Sequence, residues 1–526
     1  MATQEHEAAS QPAVTGLTPA QDEQAQASEL SLTGSDHDNG RAKKEHTQVL
    51  CEASLPSESD VHVVSWDGPD DPANPFNWPL QRRVINGLLI SLLALVTPLA
   101  SSFFAPGVPQ LMEEFGRDSD LLAGFVVSVY VLGFAFGPLI MAPMSEIYGR
   151  NIVYHTSNVG FVVCMVACAV APSLNALIVF RFFGGVFGST PLTNAEASIA
   201  DMVTQEQRAG AVGATAIGPL LGPIIGPVAG GFLSAAEGWR RVYWVLAIVN
   251  GLLTILMFVF MRETYAPLLL QRKTNRLRKE TGNSSLRSKF DNGLSPYDSL
   301  RRAALRPIKL LSRSPLVMVF SIYMAIVYGY LYLLFTSVTE VFEGTYGFSE
   351  SIVGLVYLGI GVGTILGLGM YATLSNRAVK KAIAAQGGEG PAKPEIRLQL
   401  LPAGAVVLPT GLFLYGWTAQ YHIHWIVPIL GMALIGFGNF FAFMAINMYL
   451  VEAHLQYAAS AIAAVTLARS IGGALLPLAG LKMYATLGLG WGNSLFGFIA
   501  IALIPVPLII LRYGEGLREK YQIKDL

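Results

Sequence analysis

The sequence predicts an all-α polytopic membrane protein of twelve transmembrane helices in two six-helix, pseudo-symmetric bundles. Three observations predict it. Of 526 residues 52% are hydrophobic and only 13% charged, against roughly 25% charged in an average soluble protein. Apolar runs of about 20 residues, the length that crosses a bilayer core, recur along the chain. The basic residues are also divided unevenly between the loops that join those runs.

The elements follow in order. Residues 1–80 hold 14 Asp+Glu against 3 Lys+Arg. Rich in Gln, Ser and acids, this stretch cannot bury enough apolar surface to offset its ordering entropy, so a disordered, acidic cytoplasmic tail is expected there. It has no basic segment followed by an apolar run, so no cleaved secretory signal is expected and the first span acts as the targeting element. The spans are expected at about 84–106, 122–143, 152–171, 175–198, 209–233, 242–262, 315–337, 351–373, 398–418, 425–449, 459–480 and 492–511. The first six make a bundle over 81–262. A basic cytoplasmic loop, 263–313, carries RKTNRLRKETGNSSLRSK. The last six make a second bundle over 314–512, and 513–526 forms a cytoplasmic C-terminal tail.

Charge supports the even count. With both termini in the cytoplasm, inward loops and flanks hold 26 Lys+Arg and outward loops hold four, Arg117, Arg240, Arg241 and Lys482. An odd count would scramble this positive-inside asymmetry. The halves also echo each other, with Gly-Trp at the start of GWRRVYWV and of GWGNSLFGF. Two repeats around a midplane cavity make a transporter layout. Cys51, Cys164 and Cys168 make neither a disulfide framework nor a metal site. Cys164 and Cys168, four apart in an apolar run, read as small residues packing one helix face.

Charges inside the spans single out function. Arg181 in VFRFFGGVFGS and Arg469 in VTLARSIGGALLPL each cost about 2.5–3.5 kcal/mol at mid-depth on insertion scales. Each must therefore face the bundle interior or a wet cavity. Gly184, Gly185 and Gly188 allow close helix approach beside Arg181 and favour its burial. Glu196, in PLTNAEASIADM, is the only carboxylate within an apolar span. It reads either as a helix-end acid reaching the interface or as a desolvated acid that takes up and releases a proton. About 22 Å of helix separates it from Arg181, so the two cannot pair within the helix.

At the exit of span two, GPLIMAPMSEIYGR sets Glu146 and Arg150 four residues apart, where a helical pair is expected. Asp201 and Arg208 lie in the next inward loop. These four read either as ordinary interfacial charges or as a gate cluster at the cytoplasmic mouth. Span five, GATAIGPLLGPIIGPVAGGFL, repeats Gly-Pro at 218, 222 and 226. Each proline deletes a backbone hydrogen bond and each glycine removes a side chain. A bent, smooth-faced helix pressed against a helix of the other half is expected, acting as a pivot. Candidate lining residues of a substrate cavity are Phe103, Tyr328, Tyr332, Phe335, Asn439, Asn447 and Arg469.

Several stretches resemble motifs of the major facilitator superfamily. GPLIMAPMSEIYGR resembles its motif A in a fungal form, and LIVFRFFGG its motif B, whose arginine is linked to proton coupling. Gly213, Gly222, Gly226-Pro227 and Gly230-Gly231 resemble motif C, the mark of drug:proton antiporters. WDGPDDPANPFNWP, GWRRVYWV and RETYAPLLLQRKTNRLRKETG are similar to fungal twelve-span multidrug antiporters, and the resemblance covers about residues 64–515. RETYAP stands where sugar carriers of the superfamily would show Pro-Glu-Ser-Pro-Arg. Ala195-Glu196 departs from the glycine pair common after LTN, so Glu196 is outside what the resemblance implies.

The resemblance implies a proton-coupled exporter of small, largely apolar organic molecules (toxins, drugs or a self-made metabolite) working by alternating access. The alternative is a carrier of a polar metabolite such as a polyamine or organic acid. No enzyme activity and no cofactor are expected: the histidines show no catalytic pairing within spans, and no Gly-x-x-x-x-Gly-Lys phosphate loop is present. The expected partners are a small-molecule substrate, protons and the lipid bilayer, with no nucleic acid, and the chain is expected to act as a monomer. The plasma membrane is the expected location, with the vacuolar membrane as the alternative.

Overall fold

Apolar runs become helices here, and Ser, Pro and Gly set where each begins and ends. The computed structural model describes residues 63–290, 296–385, 393–454 and 458–521. The first spans are α1 (Leu80–Ser102) with the short α2 (Val108–Glu114), α3 (Asp120–Ile147), α4 (Arg150–Ala169), and α5 (Leu174–Gly188) continued by α6 (Thr190–Ala200). Next come α7 (Gln205–Glu237) and α8 (Trp239–Phe260). The connecting segment carries α9 (Ala266–Thr281) and α10 (Pro296–Arg313). Then follow α11 (Pro315–Tyr346), α12 (Glu350–Val356) with α13 (Leu358–Ala385), α14 (Leu401–Gln420), α15 (Ile426–Ala453), α16 (Ala458–Leu503) and α17 (Pro505–Lys520).

Among the described residues eleven helices are long and apolar enough to cross a membrane. Helix α7, whose side chains are described only in part, adds a continuous stretch of 33 residues, about 50 Å at 1.5 Å per residue. The all-α polytopic architecture expected from the sequence is the one found. Spans eleven and twelve differ in detail, because both lie within α16 and α17. Instead of a loop across 481–491, the chain turns at the single residue Gly488, whose φ of 76° breaks the helix in a region that favours glycine.

Helix α1 packs on α7 and α8, α3 on α5, and α4 on α5 and α8, while α11 packs on α16 and α15 lies between α13 and α14. Across the two sets of six spans, α3 lies along α16 and α7 along α12. One hydrophobic core centres on Tyr130, Tyr154, Phe161 and Tyr243, and another on Phe320, Tyr330, Tyr357 and Tyr415. Ile248, Leu252, Ile255 and Phe258 of α8 point outward and are exposed. Their 3–4 residue spacing makes an apolar stripe on the outside, the inverse of a soluble helix.

Residues 1–62 of the expected tail lie outside the described residues, but 63–79 are folded. A short strand β1 (Val63–Val64) pairs in parallel with β2 (Arg287–Ser288). Lys273 of α9 reaches the Asp67 carboxylate at 2.6 Å and the Ser65 carbonyl at 3.0 Å. Asp71 accepts backbone N–H groups from Asp67 at 3.0 Å and Ala73 at 2.8 Å. Trp78 is buried. Composition concealed this strap because its order comes from turn bonds, one short strand pairing, the Lys273 contacts and one ring, not from apolar content. The basic stretch 263–313 is likewise mostly helical, through α9 and α10.

The two backbone N–H groups, followed by Lys273, hold the Asp71 carboxyl below the usual carboxylate range. A lowered folded-state pKa contributes stability above the unfolded value of about 3.9, lost as pH falls through the folded value. Asp71→Ala should raise amide exchange across 63–78 about tenfold, the scale of one lost charge-assisted bond. Unchanged exchange would show that the strap is held without the Asp71 carboxylate.

Candidate functional site

Span five meets two partners, and its glycines serve mainly the nearer one. Gly218, Gly222, Gly226 and Gly230 form a row against α1. A methyl group on Gly222 would lie 2.7 Å from the Leu95 carbonyl oxygen, and one on Gly226 would lie 2.9 Å from that of Leu99. On Gly230 it would run into the Phe103 carbonyl. The expectation that the smooth face presses on the other half therefore needs correction. The i, i+4 row packs within its own half, and the neighbouring stripe, with Ile224, Pro227 and Gly231, meets α12 and α13. Pro227 has no N–H for the carbonyl of Pro223, and the Ser102 hydroxyl of α1 donates to that carbonyl at 3.1 Å. This is how a proline-rich span satisfies its backbone away from water. Gly213 lies in α7, and its surroundings fall outside the described residues.

Arg181 of α5 is wholly buried. Its Nη1 donates to the Tyr243 hydroxyl at 2.7 Å, and its Nη2 to the carbonyls of Ser101 and Val127, each at 3.3 Å. The guanidinium lies 5.2 Å from the Phe104 ring centre, 5.5 Å from that of Tyr130 and 5.8 Å from that of Tyr243. Among the described residues it forms no ion pair, and its Nε has no hydrogen-bond partner. Neutral acceptors and ring faces hold this cation in place of a carboxylate.

From Arg181 a chain of contacts crosses to the other half. The Ser101 hydroxyl lies 3.0 Å from the Tyr332 hydroxyl of α11. Tyr332 packs on Tyr328 with ring centres 5.1 Å apart, and the Arg469 guanidinium sits 4.6 Å from the Tyr328 ring centre and 4.9 Å from that of Phe443. Gln110 of α2 donates to both Glu350 carboxylate oxygens of α12, at 2.9 and 2.8 Å, and to the Ser234 carbonyl at 3.2 Å. Gly124 of α3 abuts the Pro477 carbonyl of α16. These joints lie toward the end of the molecule away from α9 and α10. At the α9–α10 end, α10 lies against α3 and α16.

The other expected lining residues divide in two. Phe103 is buried against α7, and Phe335 is buried with Tyr332 and Tyr357. Asn439 donates to the Val327 carbonyl at 2.8 Å. Tyr328, Asn447 and Arg469 stay half-buried. Glu196 is exposed, on the less buried face of α6.

The charges near α9 assemble differently from their spacing. Glu146 and Arg150 do not pair, because α3 ends at Ile147 and Gly149 turns the chain at φ 97° before α4 begins. Glu146 is exposed. Arg150 is buried, with Nε 3.5 Å from the Asp201 carboxylate, a short bond to the Ser145 hydroxyl, and the Tyr265 ring centre 4.9 Å away. Burial pushes the Tyr265 phenol up. The Arg208 side chain lies outside the described residues.

Glu263, unremarked in the sequence, organises this corner. Its carboxylate accepts the N–H groups of Arg150 at 3.0 Å, Asn151 at 3.2 Å, Thr264 at 3.1 Å and Tyr265 at 3.0 Å. The first two open α4, where a helix favours an anion. A side chain at Gly149 would strike that carboxylate. Ser101, Tyr243 and Tyr130 were also missed: as hydroxyl residues in apolar runs they carry no spacing signal.

The sequence model of the Major Facilitator Superfamily matches residues 90–477. The chain is 55% identical over 470 residues to the MFS-type transporter tndD of Aspergillus flavipes, covering 89% of this chain and 87% of the relative. It is 50% identical over 514 residues to the MFS-type transporter penM of Penicillium rubens, covering 97% and 98%. It is 50% identical over 469 residues to the efflux pump radE of Floropilus chiversii, covering 89% and 87%. Among solved structures it resembles a bacterial homolog of the human lysosomal transporter Spinster, inward-facing and unoccupied (TM-score 0.60, 14% identity, 85% of this chain and 100% of that one). It also resembles the partially occluded, inward-open xylose transporter XylE from E. coli (TM-score 0.59, 16% identity, 82% and 98%). At such identities these two speak for the fold alone.

Proposed function

The chain belongs to the major facilitator superfamily, and on that premise we propose that it is a proton-coupled exporter of small, largely apolar organic molecules. The proposal places a monomer in the plasma membrane with both termini and the α9–α10 end in the cytoplasm. The first six spans (81–262) and the last six (314–512) act as two rocking bundles joined by the segment 263–313. The name efflux pump borne by a relative that is half identical supports the direction.

The observation that carries the reading is the joint between the bundles, made at the outer end in this orientation. There Gln110 bonds Glu350, Ser101 meets Tyr332, and α7 and α12 approach backbone to backbone. Export requires this outer joint to part, so the two states differ in which contacts they keep. Arg181 cannot give up its proton. Its role is to tie α1, α3 and α8 to α5, so that the Ser101 hydroxyl, which meets Tyr332 across the joint, moves with the first bundle. Glu196 is the proton carrier of this reading, and the charges Glu146, Arg150, Asp201 and Arg208 form the inner gate.

Accumulation of a labelled apolar compound tests the function. Expressing cells should hold several-fold less label than control cells, and a protonophore should erase the difference. Higher accumulation on expression would replace export by uptake, the polar-metabolite alternative.

Gly231 tests the outer joint. A side chain there would meet the Glu350 carbonyl at 2.7 Å and the Gly354 Cα at 3.1 Å. Gly231→Val should hold that end apart and cut export about tenfold or more, with spin labels across it reading longer separations. Unaltered distances and export would refute the assignment.

A further inference from the structure

We propose that Arg469 is a recognition site for an organic anion, and that the cargo class is aromatic acids carrying a carboxylate or phenolate. This names the cargo of the exporter and rests on that reading.

The two intramembrane arginines are equipped differently. Arg181 is sealed, and its terminal nitrogens are satisfied by a phenol and two carbonyls. Arg469 is half-buried, its Nε is buried without a partner, and among the described residues it forms no ion pair. A cation at this depth is costly unless something compensates it. The rings of Tyr328 and Phe443, 4.6 and 4.9 Å away, compensate in part. They leave the charge whole and the planar donor fork unused.

That fork fits a carboxylate in bidentate fashion. Tyr328 is itself half-buried, so part of its ring edge is accessible beside the guanidinium it stacks on. Asn447 lies one helical turn beyond Phe443 on α15 and is half-buried. Tyr328 and Phe443, on spans seven and ten, flank the guanidinium on span eleven, and Tyr328 touches Tyr332, the residue that bonds Ser101 across the bundles. A ligand on Arg469 would therefore sit next to the joint that must break during transport.

The test uses the purified full chain in nanodiscs and three probes of one shape: 2-naphthoate, its primary amide and 2-naphthylmethylamine. Equilibrium binding should favour naphthoate over the amide by about tenfold or more, the scale of a charge-assisted hydrogen bond, with the amine weakest. Arg469→Gln should bring naphthoate and amide within about twofold, and Arg469→Lys should keep part of the preference. The proposal is overturned if wild type binds the amide or amine as well as naphthoate, if it binds no naphthoate, or if Arg469→Gln weakens all three equally. Uptake into proteoliposomes under a pH gradient separates the two readings. Charge preference in binding without gradient-driven transport removes the exporter and keeps the site. Gradient-driven transport without charge preference does the reverse.

Discussion

Arg181→Ala should reduce gradient-driven export to background, about a hundredfold or more below wild type, while the protein still reaches the membrane. The side chain joins α5 to the Tyr243 hydroxyl of α8 and to carbonyls on α1 and α3. Alanine leaves those buried acceptors and the phenol without their donor, about 1–3 kcal/mol for each unsatisfied group. The lost desolvation cost of a buried cation offsets part of this, so the fold survives and the arrangement does not. Arg181→Lys should fail as well, because one ammonium cannot span a phenol and two carbonyls as the planar fork does. A pH-clamped vesicle assay reads the effect, and export at the wild-type rate in Arg181→Ala would end the coupling role.

Glu263→Ala should be the most destabilising single change at the α9 end. Four backbone N–H groups lose one buried carboxylate, two of them at the start of α4. Each buried N–H left without its acceptor costs about 1–3 kcal/mol. The thermal midpoint should fall by several degrees, and export should fall with it because Arg150 and the turn at Gly149 lose their anchor. Glu263→Gln, with one acceptor oxygen left, should fall in between. A midpoint equal to wild type in Glu263→Ala would mean that water replaces the carboxylate without cost.

Particular residues show how far the sequence could be read. Arg181 and Arg469 stood out because a charge in an apolar run has no bland explanation, and both lie inside the protein. The Glu146–Arg150 pair failed because spacing of four implies a contact only if the helix continues, and Gly149 ends it. The Gly-Pro repeat of span five announced close helix packing but not the partner. Turning by about 40° per four residues, a helix presents two stripes to two neighbours, and only contact decides which stripe meets α1 and which α12. Glu263 was invisible because its function lies in four N–H groups that have no residue identity.

By itself the sequence determined that this chain is an all-α polytopic membrane protein with a few buried charges. Insertion depends on local apolar length and flanking charge, both of which are written in order along the chain. Tertiary structure alone decided what those charges touch. Tyr243 comes to Arg181 across 62 residues and Tyr332 to Ser101 across 231, and no period in the sequence encodes such meetings. They arise from which helix faces fit together once the bundles pack.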